Sequence, residues 1–265
     1  MLDRWLNRVG FRKGNPFGTN EAEQEPFVPE CFVDPGVYDF LKGDPRSTLV
    51  FAPRGGGKTA LRVMLASDCR PFRKTTVGAR SRTLAVTYTD FGPALHACEH
   101  DLTRLTAAHH VTQILGASCS TFLEALWEDE DLVDALSPPD RSLLAGYCAQ
   151  FDPSRLSADA FYRHLRSDCP VVSVAWSDLR RAVSERRLET FLREQEVDLS
   201  PCLCLYAQLI DDIATPLASV DSPVALLRRF VQLVRSAGLE AVFVLIDRLD
   251  ERFHTFDDPD QLADL

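Results

Sequence analysis

Residues Ser47 to Ala60 read STLVFAPRGGGKTA, and their reading decides the fold. Thr48, Leu49, Val50, Phe51 and Ala52 form a short apolar, β-branched run that suits a buried strand. Pro53, Arg54, Gly55, Gly56 and Gly57 follow as a glycine-rich loop. Lys58, Thr59 and Ala60 then open a run of helix formers reaching about Ser67, with Pro71 beyond it as a stop. Consecutive glycines let successive backbone N–H groups curl toward one point. The start of a helix adds partial positive charge there, so the stretch is suited to hold an anion.

Strand, glycine loop, Lys-Thr and helix start together make the P-loop (Walker A) pattern, with Ala52 where the strict form has glycine. On that pattern Pro53 to Ala60 cradle the phosphates of a nucleotide. Lys58 reaches the β- and γ-phosphates and serves catalysis, and Thr59 offers its hydroxyl to Mg²⁺. A magnesium-bound triphosphate also needs a distant carboxylate. The run Glu240 to Asp247, EAVFVLID, supplies one at the end of a buried parallel strand, so Asp247 is the expected metal partner (Walker B). Asp250 and Glu251 follow closely enough to orient or deprotonate a water.

A further strand fits Thr83 to Thr89, ending in the turn Asp90-Phe91-Gly92-Pro93. From there helical spacing takes over, first through Leu95, Cys98, Leu102 and Leu105. Helices fit Ser120 to Leu136, Asp140 to Gln150, Ala158 to Arg166, Asp178 to Glu194 behind Ser177, and Cys202 to Ile213. The clearest helix has Ser222 as N-cap, Pro223 at its first position and Gly238 just past its end. Ahead of the P-loop, Asp3 to Val9 suits a short amphipathic helix, and Asn15 to Pro45 is rich in turn formers. Phe17, Phe32, Tyr38 and Phe40 in this lead-in would either pack near an adenine or cover the sheet edge.

The net charge of -10 argues against a protein that coats nucleic acid or anionic membrane. The eight cysteines include no CxxC pair, which speaks against zinc and disulfide frameworks and for a cytoplasmic setting. No apolar run is long enough for a membrane span. His96 and His100 lie one helical turn apart, but a solvated face explains them better than a metal pair. Arg180, Arg181, Arg186, Arg187 and Arg193 alternate with Asp178, Glu185, Glu189 and Glu194, which reads as an ion-paired face.

APRGGGKT with LIDRLDE resembles the STAND branch of P-loop NTPases, near the NACHT type. The lead-in NPFGTNEAEQE and FVDPGVYDFLKGDPRSTLVFAPRGGGKTALR is similar to bacterial ATPases related to AAA+ proteins. The resemblance implies an α/β, ASCE-type parallel sheet and binding of ATP or ADP. It also implies Mg²⁺ at Thr59 and Asp247, a water-activating role for Asp250 or Glu251, and a switch in assembly or defence signalling. Residues 1–46 would wrap the nucleotide side, 47–92 and 238–265 form the NTPase core, and 93–237 be a large all-helical insertion. In such sheets a strand after the acidic one lies beside the P-loop strand. The final residues, ERFHTFDDPDQLADL, are not strand-like. The expectation is therefore an N-terminal fragment of a longer protein, with sensor, effector and partner-binding or self-associating parts elsewhere. Alternatively, Pro170 to Ala175 supplies a strand out of order. A non-hydrolysing nucleotide switch and a DNA-associated AAA+-like loader or sensor are the competing functions.

Overall fold

The structure is a computed structural model and describes residues 22–23, 28–43, 46–52, 56–69, 82–99, 101–169, 174–212, 217 and 222–247. Its centre is a pair of parallel strands, β1 (Thr83–Tyr88) and β2 (Ala241–Ile246), in register from Thr83 opposite Ala241 to Tyr88 opposite Ile246. Both have the bounds read from the sequence to within a residue, because apolar β-branched runs suit a pleated surface. However, β2 is not the buried strand expected: all of it is partly exposed and Ile246 is 51% exposed.

Helices pack on both faces of the pair and leave β2 partly exposed. Helix α1 (Val28–Cys31), α2 (Tyr38–Gly43) and α3 (Lys58–Asp68) lie on one side. There Leu61 and Leu65 of α3 pack with Tyr38, Phe32 and Leu245 of β2. On the other side, Leu84 and Val86 of β1 and Val242 of β2 join the main core with the helices that connect the strands. The connecting helices are α4 (Gly92–Ala97), α5 (Ala107–Glu128), α6 (Glu130–Ala135), α7 (Pro138–Phe151), α8 (Ala158–Asp168), α9 (Trp176–Ser184), α10 (Leu188–Glu194), α11 (Pro201–Asp211) and α12 (Pro223–Ser236), of which α4 packs instead with Tyr88, Phe91 and Ile114 through Leu95. The helical body is thus continuous with the strands through one core.

The strand expected over Thr48 to Ala52 is not formed. Leu49 and Phe51 are 82% and 89% exposed. Strand propensity does not suffice without a neighbouring edge to accept the backbone hydrogen bonds. Among the described residues the sheet therefore has two strands, not three. Val174 and Ala175 are not in a strand, and residues 170–173 lie outside the described residues. So do Phe17, Pro71, His100 and the segment 3–9.

Helix boundaries differ where no glycine or proline marks them. The helix expected over Ser120 to Leu136 begins earlier, at Ala107, and stops at Glu128. Its start is held by the Thr106 backbone N–H, which donates to His109 Nδ1 at 3.1 Å. A histidine here takes the place of the usual acid of a capping box. Asp178 to Glu194 is two helices, with Ala175 rather than Ser177 as N-cap. The break falls at Arg186, whose φ of 56° lets the Arg187 N–H reach back to the Ala182 carbonyl. That is a left-handed helix stop made without glycine. The last helix follows the sequence reading: the Ser222 side chain accepts from the Ala225 N–H, Pro223 is first, and Gly238 has a φ of 95°.

Two contacts fix the helical body. A Cβ on Gly116 of α5 would come within 2.9 Å of the Phe151 carbonyl oxygen on α7, so only glycine allows that approach. Tyr147 of α7 is buried beside Phe230 of α12 and donates to the Leu226 carbonyl at 2.7 Å.

Tyr147→Phe should cost about 1 kcal/mol, since one buried acceptor loses a donor. Phe230→Ala should cost about 3–5 kcal/mol, since it opens a cavity against Phe122 and Tyr147. Urea denaturation monitored by circular dichroism would measure both.

Burial lowers the pKa of two imidazoles. His110, in contact with Tyr88, is pushed down by burial and then by His109. His164, packed on Trp127, is pushed down mainly by burial. The unfolded chain takes up these protons near the ordinary value of 6.5, before the folded chain does. Their contribution to stability is therefore complete above that pH and lost on acidification through the folded values. The urea midpoint should fall between about pH 7.5 and pH 5.5, and less steeply in His110→Gln/His164→Gln.

Candidate functional site

Helix α3 begins at the glycine loop. Gly57 has a φ of 80°, a left-handed conformation that a side chain would strain, and its carbonyl accepts the first helical bond, from Leu61 at 2.9 Å. A helix start leaves its first N–H groups without intrahelical acceptors. Among the described residues no side chain caps this one. Lys58 turns back, and its Nζ donates to the Ala52 carbonyl at 2.8 Å. Gly56 and Gly57 are exposed.

The carboxylate of Asp247 lies next to this helix. Arg62, one turn beyond Lys58, donates from Nε to Asp247 Oδ2 at 3.1 Å, joining residues 185 apart in sequence. Its Nη2 donates to Glu23. Arg62 and Asp247 are only 8% and 13% exposed at their side chains. Such an arrangement satisfies a buried guanidinium with two carboxylates from opposite ends of the chain. Thr59 precedes Arg62 by three residues, a spacing that makes two side chains neighbours on a helix surface.

Gly56, Gly57, Lys58, Thr59 and Ala60 stand at the start of α3, and Asp247 closes on the same helix. Pro53, Arg54, Gly55, Asp250 and Glu251 lie outside the described residues. Arg62 and Glu23 were missed. No local signal marked Arg62, since an arginine in an amphipathic helix reads equally well as a surface residue.

Among the described residues no cluster of three or more His, Cys, Asp or Glu side chains could hold a metal. The hydroxyl of Thr59 and the carboxylate of Asp247 are hard oxygen donors. They suit Mg²⁺ in the manner in which it is bound by few protein groups, with waters and ligand phosphates completing the shell. The donors match the ion in type, and the Asp247 carboxylate is held by Arg62.

The lead-in touches the other end of α3. The Tyr38 hydroxyl donates to Asp68 Oδ2 at 2.7 Å, and Lys42 pairs with the same carboxylate at 2.9 Å. Phe32 packs on Tyr38, while Phe40 is exposed. The arginine-rich surface is ion-paired: Arg181 with Asp178, Arg187 with Glu185 and Glu194, and Arg193 with Glu189. A separate apolar cleft in the helical body is lined by Trp127, His164, Cys202, Leu205 and Tyr206. No helix among the described residues is long and apolar enough to cross a membrane. Comparison with protein-family models, with curated proteins and with solved structures finds no match.

Breaking the buried pair should destabilise the protein. Asp247→Ala leaves Arg62 with Glu23 alone and should cost about 3 kcal/mol, the low end for a buried ion pair. A double-mutant cycle with Arg62→Met, read by thermal unfolding, should return a coupling of about 1–3 kcal/mol.

Proposed function

We propose that the chain is a nucleotide-binding module of the P-loop kind, resembling STAND and AAA+-like ATPases, that takes ATP or ADP with Mg²⁺. The observation that supports this most is the contact between Arg62 and Asp247. It brings the helix that follows the glycine loop and the acid that ends a parallel strand into one place. A phosphate-binding helix start and a metal-binding carboxylate have to meet in such a site.

On this reading the backbone N–H groups of Gly56 to Ala60 hold the phosphates, and Lys58 leaves the Ala52 carbonyl for a phosphate oxygen. Thr59 and Asp247 hold Mg²⁺, which supplies neutralisation of phosphate charge when bound. Asp250 or Glu251 orients and deprotonates the attacking water, which makes the module an ATPase. It serves as a cytoplasmic signalling or defence switch, with self-association or a partner protein reading its state. The helical body from residue 93 to 237 is an insertion in the NTPase core.

A second reading keeps the nucleotide and drops turnover. The Arg62 contact favours it, because a carboxylate held by a guanidinium is a weaker metal ligand. A DNA-associated role is disfavoured by the ion-paired state of the arginine surface.

Fluorescent ATP analogue binding tests the reading directly. Lys58→Ala should weaken binding at least about tenfold, and Asp247→Asn should remove its Mg²⁺ dependence. Failure of the unaltered protein to bind ATP or GTP with Mg²⁺ sinks the proposal. Single-turnover hydrolysis separates the two readings: loss in Glu251→Gln supports the ATPase, whereas no hydrolysis by the unaltered protein leaves the binding switch.

A further inference from the structure

We propose that Arg62 is a tethered cation that occupies Asp247 until a divalent ion displaces it. The inference rests on the reading of Asp247 as the metal-facing carboxylate.

A charged group this well buried has to be explained. Arg62 projects from an amphipathic helix whose other inward residues, Leu61 and Leu65, are apolar. It is buried because two carboxylates meet it: Asp247 on Nε and Glu23 on Nη2. The planar fork of arginine can serve both at once, which a lysine ammonium does less well. One of those carboxylates sits at the end of β2, and the other lies in a turn before α1.

The position of the positive charge matters more than the bond itself. A divalent ion on Asp247 and Thr59 would stand within a few ångströms of the guanidinium, where like charges repel strongly and screening is weak. Both cations cannot remain on the carboxylate. When the ion arrives, Arg62 gives up Asp247 and keeps Glu23. A plain structural staple would share the same geometry. It would weaken folding when removed but would leave metal affinity alone.

Mn²⁺ binding to the purified full chain without nucleotide, followed by electron paramagnetic resonance, separates the two. Arg62→Met should lower the half-saturating Mn²⁺ concentration about tenfold relative to the unaltered chain. Arg62→Met/Asp247→Asn should abolish that gain. Arg62→Lys keeps the charge and should stay within about threefold of the unaltered chain. If Arg62→Met does not fold, Arg62→Gln should show the same gain. Unchanged or weaker Mn²⁺ binding in the neutral variants, including none at millimolar concentrations, overturns the proposal. So does an equal gain in Arg62→Lys. None of these outcomes needs ATP, so a failure of nucleotide binding would be read separately from a failure of the exchange.

Discussion

The parallel pairing of β1 and β2 is the constraint on which the rest of the molecule depends. Parallel neighbours cannot be joined by a tight turn, because the chain must return to the starting edge before pairing again. Here the return path is the whole helical body. Arg82 and Glu240, which flank the two strands, are ion-paired although 158 residues separate them. A crossover that long holds register only if it is rigid. The rigidity comes from a core in which Leu84, Val86 and Val242 share packing with residues of the connecting helices. Strands and helices therefore stand or fall together.

That register also determines where charge accumulates. Pairing Tyr88 with Ile246 places Asp247 at the open end of the strands, and the packing of α3 on Leu245 brings Arg62 beside it. The apolar contact does the positioning, and the ion pair then uses the position. Burial makes the arrangement sensitive, since a guanidinium removed from water is tolerated only while its carboxylates stay in place. At the opposite end of α3, Tyr38 and Lys42 converge on Asp68, so the helix is tied to the lead-in by polar contacts at both ends.

The sequence was most legible where one local signal sufficed. Strands β1 and β2, the start of α3 at Lys58 and the Ser222-Pro223 cap of α12 were all readable, because apolar runs and capping residues act over a few positions. It was least legible where the deciding partner was remote or unusual. Thr48 to Ala52 has the composition of a strand, but pairing depends on an edge that local residues do not reveal. Arg186 stops a helix with a backbone conformation that glycine normally signals, and His109 caps one with a ring that pattern rules do not look for. Of the candidate site, the glycine loop and Asp247 were visible as types. The guanidinium between them was not, because a single arginine in an apolar helix reads equally well as a surface residue.

The long connection between the strands also has a meaning in time. Synthesis at the usual pace would complete β2 on the order of 10 s after β1 has left the ribosome. During that interval Leu84 and Val86 can be covered by α5 and its neighbours, while the hydrogen-bonding edge that β2 will occupy stays unclaimed. The helical body thus serves as a nascent-chain shelter for one face of a strand whose mate has yet to be made.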